Sequence, residues 1–206
     1  MRFTSPSYAD QRVGIFIDVQ NLYHSAKNLY RSRVNYAELI KHLVGERKLI
    51  RAIAYVVKSE GVEGLHADQR VAGRPAPHLV VESKPDIAAE NASAEGAFFE
   101  ALEKAGLELR MKDLQIYPDG TKKADWDIGM AVDAMRMSSS LDVIILVTGD
   151  GDFLPLIDYL KWGPGRVVEV AAFRRSASGK LQEVADRFVS IEDVPRATMK
   201  MRISNR

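Results

Sequence analysis

Two short, unbroken apolar runs constrain this chain more than any other feature: Val13-Gly14-Ile15-Phe16-Ile17 and Val143-Ile144-Ile145-Leu146-Val147. A strand with one wet face alternates apolar and polar side chains. These runs do not alternate, so each strand must be covered on both faces. Leu49 to Val57 and Val167 to Phe173 are similar, each interrupted by one charge, Arg51 and Glu169. Leu107-Glu108-Leu109-Arg110-Met111-Lys112 alternates strictly and reads as a half-exposed strand near a sheet edge.

Helical patterns fill the gaps. The spacing predicts a helix over Asn21–Tyr30 and a second from Asn35 to Val44, with Asn35 as cap, Glu38 three residues on, and Gly45 as stop. Further helices are expected over Ala88–Lys104, Asp127–Met137, Phe153–Trp162 and Ser178–Ala185, the last followed by a short strand at Phe188–Ile191. Phe98, Phe99, Met130 and Met135 read as core. Parallel strands need crossovers and these helices supply them, so the expected fold is α/β, a three-layer sandwich with a central, mostly parallel sheet. The expected boundaries are an N-terminal tail over 1–10, one domain over 11–194 and a basic tail over 195–206. That tail carries Arg196, Lys200, Arg202 and Arg206 with no acid and is expected to fray. Gly61 to His78 reads as a long loop. It and an exposed edge strand are the candidate surfaces for a homodimer.

Composition removes several function classes. There is no cysteine, which excludes disulfides, thiolate zinc sites, iron–sulfur clusters and cysteine nucleophiles, and suits a reducing cytoplasm. Twenty-nine basic against 28 acidic residues leave a net charge of +1, so a nucleic-acid partner would have to be drawn by local clusters. No apolar run approaches the ~20 residues of a membrane span, and Met1 to Asp10 lacks the apolar stretch of a signal peptide. No membrane role is expected.

In an open α/β sheet the ligand crevice lies at the carboxyl ends of the strands. Asp18 and Asn21 follow the first apolar run, and Thr148-Gly149-Asp150-Gly151-Asp152 follows Val143–Val147, the fourth expected strand. Asp125-Trp126-Asp127 opens the helix that precedes that fourth strand. Three distant stretches thus deliver carboxylates toward one end of one sheet. Crowded carboxylates repel unless a cation joins them, and hard divalent ions such as Mg²⁺ or Mn²⁺ prefer oxygen ligands. Phosphodiester hydrolysis is the chemistry such a set suits best. Each piece also has a purely structural reading. Asp18 can be a helix cap, Asp150-Gly151 a turn, and Asp125 and Asp127 acids favoured by a helix dipole. Asp133, about 240° around the helix from Asp127, is a further candidate that does not share its face.

Taken in order, these segments resemble the motifs of NYN domains, a branch of the PIN-like nucleases, and most nearly the bacterial LabA/DUF88 group. The segments are Phe16-Ile17-Asp18-Val19-Gln20-Asn21-Leu22-Tyr23, Lys123 to Asp133, Thr148-Gly149-Asp150-Gly151-Asp152-Phe153-Leu154-Pro155-Leu156, and Leu181 with Ala185, Asp186 and Phe188. The resemblance runs from about Val13 to Ile191. It implies a PIN-like fold with an acidic pocket for Mg²⁺ or Mn²⁺, and ribonuclease activity on RNA. Asp18, Asp127, Asp150 and Asp152 would be the metal ligands, with Asn21 orienting a water or phosphate. Thr148 stands where the family usually has Ser, keeping the hydroxyl. Asp125 adds an acid beside Asp127, so either one can face the metal.

Other residues carry weaker signals. His24, one turn beyond Asn21, is either a proton donor or a solvated histidine. Lys122 and Lys123, Arg174 and Arg175, and Lys27, Arg31 and Arg33 are either a positive track for single-stranded RNA or ordinary solvated charges. Tyr23 and Trp126 either stack on a base or pack in the core. A haloacid-dehalogenase-type phosphatase wants an acid two residues after Asp18, where Gln20 stands, and no G-x-G-x-x-G supports a dinucleotide site. The expected function is divalent-metal-dependent hydrolysis of single-stranded RNA. The alternative is a regulatory or RNA-binding module with little or no turnover.

Overall fold

The computed structural model describes residues 8–58, 85–116, 122–123 and 125–201. Its centre is a six-stranded, wholly parallel sheet. The strands are β1 (Arg12–Asp18), β3 (Lys48–Lys58), β4 (Glu108–Asp113), β7 (Val143–Val147), β8 (Val167–Ala172) and β9 (Arg187–Ser190), in the order β4-β3-β1-β7-β8-β9. The chain therefore builds outward from β1 to one edge, returns to the other side of β1, and builds outward again. The reversal lies between β1 and β7, where the crevice of an open α/β sheet is found.

The unbroken apolar runs have the expected cause. Val13, Ile15 and Ile17 of β1, with Val143, Ile145 and Val147 of β7, are buried against α1 (Val19–Tyr30), α2 (Tyr36–Val44) and α3 (Pro85–Lys104). Phe16, Ile144 and Leu146 point the other way, onto α4 (Asp127–Met137), α5 (Leu154–Trp162) and α6 (Gly179–Val184). Successive side chains thus meet different helical layers. The alternating segment is β4, which forms one edge of the sheet and keeps only a partial covering. Asn35 caps α2, its Oδ1 accepting from the Glu38 N–H at 3.3 Å.

Glu169, the charge interrupting β8, is almost fully buried and accepts two bonds from the Arg47 guanidinium, at 2.7 and 3.0 Å. Arg47 also donates to the carbonyls of Leu43 and Val44 at the end of α2, so it ties that helix to the middle of the sheet.

Several expectations shift. Helix α1 begins at Val19 rather than Asn21, because Asp18 is itself the cap. Gly151–Phe153 is a 3-10 turn, and α5 starts only at Leu154. Met135 is partly exposed on the outer face of α4 rather than in the core. The stretch expected to fray from Pro195 is ordered through Met201. Its β10 (Thr198–Lys200) pairs antiparallel with β2 (Ser32–Val34), Ala197 is fully buried, and the Asn35 N–H donates to the Ala197 carbonyl at 2.8 Å. A second antiparallel pair joins β5 (Gln115–Ile116) to β6 (Lys122–Lys123). The loop read over Gly61 to His78 lies outside the described residues. Among the described residues, no helix is long and apolar enough to cross a membrane.

Candidate metal centre

In the parallel register Ile17 lies beside Val147, so the next residues, Asp18 and Thr148, emerge side by side at the carboxyl ends of the two central strands. Asp18 is held on both oxygens. Oδ1 accepts from the Asn21 N–H at 3.0 Å, and Oδ2 accepts from the Thr148 hydroxyl at 3.3 Å. Thr148, fully buried, also accepts from the Asp150 N–H at 3.2 Å, so one hydroxyl joins the acid after β1 to the acid after β7. Asn21 closes the arrangement, its Oδ1 accepting from the Gly149 N–H at 3.0 Å.

The turn itself is built for close approach. A side chain at Gly149 would lie 3.1 Å from both the Ala177 Cα and the Ser176 carbonyl oxygen, so the loop after β8 would have to give by a few tenths of an ångström to accept one. The Ser178 N–H donates to the Gly149 carbonyl across that contact at 2.9 Å. Asp150 then caps the 3-10 turn, its Oδ1 accepting from the Asp152 N–H at 3.0 Å.

Asp127 enters from the first residue of α4. One carboxylate oxygen from each of Asp127, Asp150 and Asp152 lies within 4.8 Å of the others. Among the described residues, none of these three forms an ion pair with a lysine or arginine. Burial, and then the nearby charges of Asp150, Asp18, Asp125 and Asp152, push the Asp127 carboxyl up to about 6. Burial also raises Asp18, against the bonds from Asn21 and Thr148 that favour its charged form. The donor set is oxygen-only and half-exposed, with no cation among the described residues to neutralise it. That is the chemistry of a site for a hard divalent ion, and the residues present fit one.

The other candidates divide. Asp18 abuts the triad through Thr148 but is not one of the three clustered carboxylates. Asp125 is exposed, and its charge reaches Asp127 without joining the cluster, so Asp127 is the acid of that pair in the cluster. Asp133 is turned away. It accepts from the Tyr55 hydroxyl at 3.0 Å and pairs with Arg110 at 3.3 Å, over β3 and β4. Trp126 is packed, donating its Nε1–H to the Val56 carbonyl at 2.8 Å with its ring 5.4 Å from that of Tyr55.

Tyr23 and His24 are exposed on α1, edge to face at 5.6 Å, and Lys27 donates to the Tyr23 hydroxyl at 3.3 Å. Arg174 and Arg175 open the loop that packs on Gly149. Arg174 pairs with Asp193 at 3.4 Å, and the Arg175 N–H donates to the Tyr30 hydroxyl. Lys122 and Lys123 form β6, and their side chains fall outside the described residues. The bridging role of Thr148 escaped the sequence reading, because a hydroxyl after a strand looks the same whether it turns inward or outward.

Residues 12–192 match the model of the NYN domain family. A protein of unknown function from Vibrio parahaemolyticus, known from a crystal structure, is 26% identical with a TM-score of 0.71, covering 95% of this chain and 100% of that one. A search of curated proteins finds no significant match.

Proposed function

This chain belongs to the NYN domain family of PIN-like nucleases, and from that premise we propose that it is a divalent-metal-dependent nuclease hydrolysing phosphodiester bonds of single-stranded RNA. The observation that carries this reading is the gathering of the Asp127, Asp150 and Asp152 oxygens within 4.8 Å, with no cation among the described residues to neutralise them. Those three would hold Mg²⁺ or Mn²⁺, with Asp18 beside them. Bound there, such an ion supplies Lewis-acid activation of a phosphodiester and of water.

The protein's own groups do the rest. Thr148 and Asn21 hold the Asp150 turn in register with Asp18, fixing the acids before substrate arrives. Asp127, whose carboxyl burial and then the neighbouring acids push up to about 6, carries its full charge only from near neutrality upward. Arg174 and Arg175, on the loop against Gly149, supply positive charge at the rim for backbone phosphates.

The test is cleavage of end-labelled single-stranded RNA with and without Mn²⁺, beside Asp150→Asn. Asparagine still caps a turn, so this variant keeps its thermal midpoint while losing metal-dependent cleavage. Equal cleavage by wild type and variant would refute the reading. RNA binding without cleavage by wild type would instead identify a binding module.

A further inference from the structure

The shoulder of the acidic pocket on the β4 side holds a lysine fixed in an unusual way. Lys112, in an exposed edge strand, has its Nζ 5.9 Å over the Trp126 ring and donates to the Asp125 carbonyl at 3.2 Å. Trp126 cannot shift easily beneath it. Its Nε1–H is bonded to Val56, Tyr55 lies alongside, and α4 meets it at Gly129, where a Cβ would stand 2.6 Å from the ring. An edge lysine ordinarily swings in water and loses rotamer freedom when pinned. This one is half-buried and has no carboxylate within ion-pair distance among the described residues. An ammonium has three donors, and the Asp125 carbonyl uses only one.

Its place is specific. The carbonyl it binds is two residues before Asp127, and strand β4 runs directly into β5, whose register sets Lys122 and Lys123 opposite Ile116 and Gln115. Among the described residues, Asp113 and Asp125 are acids beside these contacts, and neither forms an ion pair with Lys112. Across the pocket, the loop after β8 carries Arg174 and Arg175. From β4 to β8 is four strand spacings, about 19 Å.

We propose that Lys112, clamped by Trp126, binds a backbone phosphate of the substrate strand beside the acidic pocket, and that the strand runs across the sheet's carboxyl edge from the β4 shoulder to the β8 loop. This rests on the metal-nuclease reading above. It assigns Lys112 as a positioning residue that reads phosphate and not base.

The test is fluorescence anisotropy with labelled single-stranded RNA and DNA of mixed sequence over a salt series, together with thermal unfolding in Mn²⁺. Lys112→Gln should bind several-fold more weakly, by the same factor for every sequence. The slope of log affinity against log salt should fall by about 0.7, the value of one single-strand phosphate contact. Lys112→Arg should restore most of both. The Mn²⁺-induced rise in the thermal midpoint should be the same in wild type and both variants.

Weaker binding with an unchanged salt slope would mean only that Trp126 had been disturbed, and would overturn the proposal. So would unchanged binding, or wild type that binds neither strand. Failure of the metal reading shows separately, as no Mn²⁺ shift in wild type. An equal loss on RNA and DNA fits a phosphate contact, whereas a loss confined to RNA would point to the 2′-hydroxyl and overturn it.

Discussion

The side-chain oxygen of Asn21 accepts the backbone N–H of Gly149 at 3.0 Å, joining two residues 128 positions apart. Through this bond, a residue on the first helix sets the height of the turn that carries Asp150 and Asp152. The Gly149 amide is buried and cannot turn to water if the acceptor is removed. Asn21→Ala should therefore cost about 1–3 kcal/mol, the penalty of an orphaned buried donor. Urea unfolding checks this as a lower midpoint with an unchanged m-value. Asn21→Asp keeps an acceptor but adds a fifth charge to the Asp18, Asp127, Asp150 and Asp152 group, so it should be destabilised in chelator and recover in Mn²⁺.

Asp127 gives a pH dependence whose sign is fixed. Its folded value of about 6 stands above the ordinary 3.8, so the native state favours the protonated form. That contribution to stability is fully present below about pH 4 and is lost as pH rises through about 6. In metal-free protein, Asp127→Asn should become progressively more stable relative to wild type across this window, with the difference constant above it. Paired urea titrations in chelator at stepped pH measure it. A difference that stayed flat from pH 4 to pH 7 would contradict the raising of Asp127 by burial and by the neighbouring acids described above.

Metal should act as a ligand for the folded state only, because the three carboxylates meet only when the sheet is formed. Mn²⁺ at a hundred times its dissociation constant should then add about 2.7 kcal/mol. The thermal midpoint should climb with Mn²⁺ concentration and fall back on adding chelator. Asp150→Asn and Asp152→Asn should each blunt the climb, whereas Asp133→Asn, whose carboxylate faces Tyr55 and Arg110, should leave it intact.

Arg47 and Glu169 are a separate matter of stability. With their side chains 1% and 6% exposed, the pair lies in the core, and removing Arg47 leaves Glu169 only a longer 3.8 Å contact with the half-exposed Arg187. Arg47→Met should cost about 3–5 kcal/mol. The double variant Arg47→Met with Glu169→Leu should recover part of that loss, since no charge is left buried, although the Leu43 and Val44 carbonyls lose their Arg47 donors. Thermal or urea unfolding of the two single variants and the double closes the cycle, and activity per folded molecule should not change.

Much of this was legible in the chain because one physical constraint wrote it there. Strands between two helical layers must be apolar at every position, which made Val13–Ile17 and Val143–Val147 visible, and the crevice rule then pointed at Asp18 and Asp150. Asp127 was legible as the first residue of a helix, but its choice over Asp125 needed the turn of α4. Asp133 could be seen not to share a face with Asp127, yet its true partners, Tyr55 and Arg110, lie on other strands and leave no trace in local spacing. The pairing of Thr198–Lys200 with Ser32–Val34 was missed for the same reason. Three residues of ladder carry no periodicity, and a basic stretch reads as solvated until its partner strand is known.

The central strand takes its two neighbours from distant parts of the sequence: Lys48–Lys58 from the stretch soon after it, Val143–Val147 from far later in the chain. A growing chain can thus finish one flank of the sheet early and leave the other flank of its middle strand bare until Val143–Val147 has been made. Asp18 must wait for a threonine translated 130 codons later. A chain not yet made through Asp152 accordingly has no acidic cluster with which to seize an ion, and the three carboxylates meet only once both flanks of the central strand have formed.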